Sequence, residues 1–342
     1  MDMKDHSQPA IWFPTIRAGS GTDVFTERLV EGLRRRGIKA EITWMPLRTE
    51  YAPWSVNPPT PPSWINVAHI NSWLHPRFVP MGLPTVVTVH HSVHDPAFLP
   101  YKTLAQKLYH RLWIRHIESV NLKRAHIVVA VSHHVATQLT NLFNCSNVIV
   151  IPNGIDVEHT YTPSPIRSPH QPFRLLYVGN WRRGKGVDLL APILEKLGPG
   201  FQLYYTADRT GAHQDSPLPP ETVCIGRLHP SDLVPFYQDA DALIFPSRCE
   251  GLPLVAVEAM ACGLPVIASN VSALKEVVEH GVTGFLCRVD QVDDFVEAVK
   301  TLRADETLWQ QMRHAARERA VKYFSCEQQV DLYLNCYRTI LS

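Results

Sequence analysis

Two glutamates, Glu250 and Glu258, bracket the entrance of an apolar helix in DALIFPSRCEGLPLVAVEAMACGLPVIAS. Pro253 suits the first turn of that helix, and Gly263 followed by Pro265 ends it. A single acid beside helix N–H groups is ordinarily a cap. The pair asks for more, because Glu258 falls among residues that are nearly all apolar and a buried carboxylate needs a polar partner. Sugar hydroxyls would satisfy both acids, and a pyrophosphate would satisfy the N–H groups of Gly251 and Leu252. The spacing does not suit a retaining glycosidase: eight helical residues at about 1.5 Å rise span roughly 12 Å, against roughly 5 Å for its two carboxyls.

A second stretch, YVGNWRRGKGVDLL, runs from Tyr177 to Leu190 and reads as strand, glycine turn and helix. Gly179, Gly184 and Lys185 have the spacing of a phosphate-binding P-loop. Position 186 is Gly, where a nucleotide hydrolase needs a hydroxyl to hold Mg²⁺. The stretch therefore points to phosphate without ATP hydrolysis. Gly19 and Gly21, in RAGSGTDVF, offer a close backbone approach and a helix start that suits an anion, and an ordinary strand-to-helix turn looks the same. No third glycine stands at Val24 or Phe25, which disfavours a dinucleotide and hydride chemistry. His90 ends TVVTVHH and is followed by His91, His94 and Asp95, but no HExxH-like ligand spacing appears, so no metal is expected. His90 is either a cleft residue or a hydrogen-bonded loop histidine. Asp239 and Asp241 form a DxD that precedes its strand, at the end of the sheet away from ligands, and read as structural.

The elements that must carry these residues are legible as apolar runs. AIWFP, AEITW, INVAHI, TVVTVHH, HIVVAVS and VIVIPNG fill the first half, and FRLLYVGN, FQLYYTA, TVCIGRL, DALIFPS, PVIAS and TGFLC the second, with amphipathic stretches between. Continuous apolar strands alternating with helices indicate parallel sheets covered on both faces, here in two doubly wound domains. The expected division is 1–156 as an amino-terminal domain, 157–172 as a linker, and 173–320 as a carboxyl-terminal domain. The linker reading rests on VEHTYTPSPIRSPHQP, dense in proline, serine and histidine. The helical tail, 321–342, has apolar positions at Leu332, Leu334, Cys336 and Tyr337 and is a candidate to pack back on the first domain.

Bulk properties exclude several classes. The 342 residues carry 33 Lys and Arg against 32 Asp and Glu, a net charge of +1 that creates no field for nucleic acid. Seven cysteines fall singly without a CxxC pair, which fits a reducing cytoplasm better than a disulfide framework. The start, MDMKDHSQPAIWFP, lacks the basic and long apolar regions of a signal peptide, and no stretch reads as a membrane span.

Taken together, these residues resemble the retaining glycosyltransferases of family 4, which have the GT-B fold: an α/β architecture of two Rossmann-like domains facing across a cleft. The resemblance covers nearly the whole chain. It rests on Glu250 and Glu258 as an E-x7-E motif, on GKGVDLL, VIPNGID, TVHH and VAVSHHV, and on the early GSGTD. It implies a metal-independent transfer of a sugar, with retention, from a nucleoside-diphosphate sugar to a glycan or lipid-linked acceptor, without a cofactor. Carried over to this chain, Glu250 holds the donor sugar, Glu258 the ribose, Gly251 and Leu252 the sugar and phosphate, Lys185 the diphosphate, and His90 sits beside the reacting sugar. The acceptor belongs to the amino-terminal domain, where Gly19 and Gly21 lie. The family usually has arginine where this chain has Asn180, so Arg182 or Arg183 takes the phosphate role; His91 replaces a common aspartate. A sugar-nucleotide epimerase of the same fold and a non-catalytic binding subunit are the alternative readings.

One stretch bears on the acceptor. YKTLAQKLYHRLWIRHIESVNLKR combines Tyr109, Trp113 and Ile117 with Lys107, Arg111 and Arg115, a composition suited to anionic lipid headgroups and to peripheral attachment at the inner face of a membrane. An amphipathic helix packed on its own sheet gives the same pattern, and this is the favoured expectation.

Overall fold

The computed structural model describes residues 8–207 and 218–342. Two compact units divide the chain: Met1–Gly154 together with Cys326–Ser342, and Ile155–Ser325.

The first unit is built on six parallel strands, β1 (Ala10–Ile16), β2 (Lys39–Met45), β3 (Val67–Asn71), β4 (Thr85–Val89), β5 (Ile127–Ala130) and β6 (Val148–Val150), in the order β2-β1-β3-β4-β5-β6. β1, β3 and β4 are buried at every residue, as strands covered on both faces require. The helix Gly21–Arg35 turns Phe25, Leu29, Val30 and Leu33 inward at helical spacing and leaves its arginines outside. Beside it lies the carboxyl-terminal helix Cys326–Leu341, which buries Val330, Tyr333, Leu334, Cys336 and Tyr337 in the same core, whereas Leu332 points outward. The two helices approach closely enough that a β-carbon at Gly32 would lie 2.4 Å from Val330 Cγ2. Tyr337 reaches His69 Nδ1 at 2.6 Å, His69 Nε2 meets Thr88 Oγ1 at 2.7 Å, and Tyr333 meets the same hydroxyl at 2.9 Å. That network fixes the last helix to β3 and β4.

In the second unit six parallel strands, β7 (Phe173–Tyr177), β8 (Phe201–Tyr205), β9 (Val223–Cys224), β10 (Ala242–Phe245), β11 (Val266–Ser269) and β12 (Gly284–Cys287), lie in the order β12-β11-β10-β7-β8-β9. One face is covered by Leu190–Leu197 and Val292–Ala304, with Trp309 and Met312 of Glu306–Tyr323; the other by Leu254–Ala261, which is apolar except for Glu258 and buried from Ala256 onward. Each of the twelve apolar runs in the sequence overlaps one of the twelve strands of the described residues.

The stretch 157–172, expected as a linker, belongs instead to the second unit. Tyr161 is wholly buried in its core, Arg167 pairs with Asp241 at 2.6 Å and donates to the carbonyls of Asp239 and Ala240, and Arg317 donates to the carbonyls of Val157 and Tyr161. Lacking either period, this segment is held through arginine side chains and not through a ladder. The tail also divides later than expected: Glu306–Tyr323 ends in the second unit, and the first unit resumes at Cys326.

Both sheets reverse direction of growth away from their edges. In the first, the chain passes from β1 to β2 on one side and to β3 on the other; in the second, from β7 to β8 and β9, then back to β10. Ligands of open parallel sheets lie beyond the carboxyl ends of strands at such reversals. Among the described residues, no helix is long and apolar enough to cross a membrane.

Candidate functional site

At the reversal of the second sheet, the loop after β7 carries Lys185 and the loop after β10 carries Glu250. Lys185 Nζ donates to Glu250 Oε1 at 2.6 Å, and Ser247 Oγ donates to the same oxygen at 2.6 Å. The backbone N–H of Glu250 donates to Ser272 Oγ, 2.8 Å away, from the turn after β11. Glu250 is buried and Lys185 partly so. An ammonium has three donors, so this pairing leaves two of them for other oxygens.

Gly186 decides the path of the lysine loop. Its φ is +72°, and a β-carbon there would stand 2.0 Å from the carbonyl oxygen of Pro246, so the two loops touch backbone to backbone. The hydroxyl residue of a P-loop cannot occupy this position. Arg248 fastens the same loop from the other side. It is buried, grips both oxygens of Asp188 at 2.7 and 2.9 Å, donates from Nε to Asp290 at 2.7 Å, and reaches the carbonyl of Arg183. Its N–H also donates to the carbonyl of Gly184 at 3.0 Å. Burial pushes the Asp188 carboxyl up, but the Arg248 guanidinium outweighs it and the net shift is downward. The Asp188 bonds in turn raise the guanidinium above its ordinary value. Gly179 is held by Thr206 Oγ1, which accepts its N–H at 2.9 Å and donates to its carbonyl at 3.1 Å.

Gly251 and Leu252 lie in the turn that leads from Glu250 into the helix Leu254–Ala261, and Pro253 is its N-cap. Glu258 is buried inside that helix, and its polar partners are protein groups: Tyr161 donates to Oε1 at 2.9 Å and Tyr237 to Oε2 at 3.0 Å. The polar partner that burial of this carboxylate demands is thus present within the protein. Asn180, Arg182 and Arg183 are exposed, and Arg183 Nε lies 3.9 Å from Asp188. Asp241 is fully buried at the opposite end of β10, bonded by Arg167, His170 and the N–H of Arg174; Asp239 pairs with Arg174 at 2.6 Å.

The first unit holds the remaining sequence candidates. Gly19, with φ +65°, and Gly21 open the helix Gly21–Arg35. The N–H groups of Ala18 and Gly19 donate to the Asp23 carboxylate at 3.0 and 2.8 Å, which closes the turn that precedes the helix. His90 follows β4. Its Nε2 donates to Asn71 Oδ1 at 3.2 Å, and Asn71 Nδ2 donates to Thr15 Oγ1 at 3.0 Å, a chain that ties β4 to β3 and β1 across the sheet reversal. Phe25 meets the imidazole edge to face, with centroids 4.3 Å apart. Burial lowers the His90 pKa to about 4, so the ring is neutral near pH 7 and carries its proton on the nitrogen facing Asn71. His91 packs against Phe98 at 4.5 Å.

Sequence reasoning named Lys185 and Glu250, which the structure brings into contact, and missed Ser247, Arg248 and Ser272. The first two lie within three residues of Glu250, in PSRCEG, and a buried arginine beside Asp188 in GKGVD had a visible signal in charge alone.

Two family models match the chain. "Glycosyl transferases group 1" covers residues 212–320, and "Glycosyltransferase Family 4" covers residues 61–159. Glycogen synthase of Mycobacterium tuberculosis (strain ATCC 25618 / H37Rv) is 32% identical over 222 residues, covering 61% of this chain and 53% of the relative. The chain thus spans about half the length of that curated relative. Among solved structures, sucrose-phosphate synthase from Thermosynechococcus elongatus aligns with a TM-score of 0.77 at 18% identity, covering 97% of this chain and 99% of the other. HepE from Anabaena, solved in complex with UDP-glucose, aligns with a TM-score of 0.67 at 18% identity, covering 96% and 99%. The fold is that of the GT-B glycosyltransferases.

Proposed function

We propose that this chain is a retaining glycosyltransferase of family 4 that moves a hexose from a nucleoside-diphosphate sugar to a glycan or lipid-linked acceptor, without a metal ion. The observation that carries the reading is the 2.6 Å contact of Lys185 with Glu250 at the sheet reversal. A cation and a carboxylate placed there suit the two ends of one activated sugar: hydroxyls for the acid, diphosphate for the ammonium. HepE, solved with UDP-glucose, supports a nucleotide-sugar donor.

The chemistry follows from charge. Breaking the bond from the anomeric carbon to the diphosphate leaves positive charge on the sugar ring and negative charge on the departing oxygen. Lys185 and the amides that open the helix at Gly251 and Leu252 stabilise the departing charge, and they are fixed before reaction by Gly186 and Arg248. Glu250 orients the sugar by accepting from its hydroxyls; its contacts with Lys185 and Ser247 fall on Oε1. Glu258 takes the ribose while held by Tyr161 and Tyr237. His90, in the first unit, is neutral near pH 7 and acts through hydrogen bonding and not as a cation. The acids of the DxD take no part, being engaged by Arg167, Arg174 and His170. Retention follows, on this reading, from same-face attack in which the leaving phosphate helps deprotonate the acceptor.

The test is a set of nucleoside-diphosphate hexoses titrated by calorimetry, then incubated with and without oligosaccharide and polyprenyl-phosphate-linked acceptors. Acceptor-dependent release of nucleoside diphosphate with an α-linked product from an α-linked donor supports the reading. Conversion of donor to another sugar nucleotide without acceptor makes the protein an epimerase, and binding without turnover makes it a binding subunit; either outcome sinks the proposal.

A further inference from the structure

Residues 96–117 contain Lys102, Lys107, Arg111 and Arg115 and no Asp or Glu, in a chain whose charges are otherwise balanced. From Leu104 they form one helical run: Leu104–Tyr109, a π-helical turn His110–Ile114, then Arg115–Arg124. Leu104, Leu108 and Leu112 recur every fourth residue and are 84%, 59% and 64% exposed. The opposite side of the run holds it to the first unit. Tyr109 donates to the Glu50 carboxylate at 3.0 Å, the Trp113 indole donates to the Glu50 carbonyl at 3.2 Å, and Ile114 and Ile117 are buried. The packed face is that of Tyr109, Trp113 and Ile117, as the favoured sequence expectation has it, and the leucines lie on the other side.

An exposed leucine row rimmed by cations marks a binding surface, because a free surface of this protein would be more soluble with polar residues there. We infer that this leucine face docks on an anionic lipid bilayer. The row lies in the plane of the interface while Lys107, Arg111 and Arg115 extend their charged ends toward the headgroups. Tyr51, exposed and 5.8 Å from the Tyr109 ring, adds an aromatic group at the rim. A second copy of the chain fits poorly, since a twofold contact would set these cations against their own images without an acid in 96–117 to pair with them. Nucleic acid offers nothing to the leucines. The inference does not depend on the proposed catalysis.

Co-sedimentation of the full chain with phosphatidylglycerol vesicles and with phosphatidylcholine vesicles tests it. Binding is expected to the first and not the second, and to fall in high salt. The triple variant Leu104→Gln, Leu108→Gln, Leu112→Gln is expected to lose at least roughly tenfold in partitioning. Each of Lys107→Gln, Arg111→Gln and Arg115→Gln should cost roughly fivefold. Because these side chains are exposed, thermal midpoints should stay near the parent value. Failure of the parent protein to bind phosphatidylglycerol, undiminished binding by the triple variant, or a leucine-dependent dimer in lipid-free sedimentation velocity would each overturn the inference.

Discussion

The α-carbon of Gly186 faces the carbonyl oxygen of Pro246 with no room between them: a methyl built on it would lie 2.0 Å from that oxygen. This single approach joins the lysine loop to the glutamate loop. Gly186→Ala and Gly186→Ser must move one backbone away from the other and also adopt a left-handed conformation, a combined cost of more than about 2 kcal/mol. Both variants should melt earlier and lose donor affinity. Thermal unfolding with and without nucleoside diphosphate measures both effects, and a serine variant of parent stability would contradict the packing described.

Lys185→Ala and Glu250→Ala should each lower turnover by roughly 10² to 10³, the usual loss when one fixed stabilising group is removed from a reacting site. Circular dichroism should show the fold intact, since neither side chain lies in a core cluster. Parent-like turnover in both variants would remove this site from the chemistry.

Arg248 tests positioning separately. Arg248→Lys keeps a charge but cannot grip both Asp188 oxygens, reach Asp290 and meet the Arg183 carbonyl together. It should lower stability by about 1 to 3 kcal/mol and weaken diphosphate binding through the lysine loop. Urea titration and nucleotide calorimetry on the same samples separate the two; unchanged nucleotide affinity would show that Arg248 supports the fold alone.

Glu258→Ala leaves the hydroxyls of Tyr161 and Tyr237 without their acceptor and should destabilise the second unit by about 2 to 4 kcal/mol. If the carboxylate also meets ribose, nucleotide affinity falls more than kcat. Glu258→Gln, which keeps most of the hydrogen bonding, should be milder in stability while showing the same order of effects. Parent-like donor affinity in the glutamine variant would argue against the ribose role.

Acid should loosen the first unit. Burial, followed by the nearby His90, lowers the pKa of His69 to about 3 from an unfolded value near 6.5. The unfolded chain therefore binds the extra proton first. The stability contributed by neutral His69 is full above about pH 6.5 and is lost, at up to about 1.4 kcal/mol per pH unit, as pH falls toward 3. Thermal midpoints of the parent should decline across this window, and His69→Gln should flatten the decline from an already lowered starting point. An equal slope in the variant would place the titration elsewhere.

Apolar runs announced the strands of the described residues most clearly where, as in β1, β3, β4, β10 and β11, a strand buried on both faces has no polar positions to confuse with a loop. Lys185 and Glu250 were legible because glycine spacing and a carboxylate at a helix entrance are local signals. Their contact was not, since it depends on β10 returning beside β7, which no local pattern encodes. Glu258 misled for the opposite reason: its need for a partner was read correctly, but Tyr161 stands 97 residues away in a segment whose prolines suggested a linker. The stretch 101–124 packs by Tyr109, Trp113 and Ile117 as its amphipathic pattern suggests, whereas the exposed leucine row at 104, 108 and 112 carried no separate signal in the sequence.

The return of Cys326–Leu341 to the first unit makes that unit the last to be finished as the chain is synthesised. Until Val330, Tyr333 and Tyr337 leave the ribosome, Phe25, Leu29 and the polar pair of His69 and Thr88 lack the surface that covers them. The continuous piece 155–325 is accordingly the part to express by itself. The amino-terminal half needs its distant final helix supplied, either through a short engineered splice or as a separate peptide.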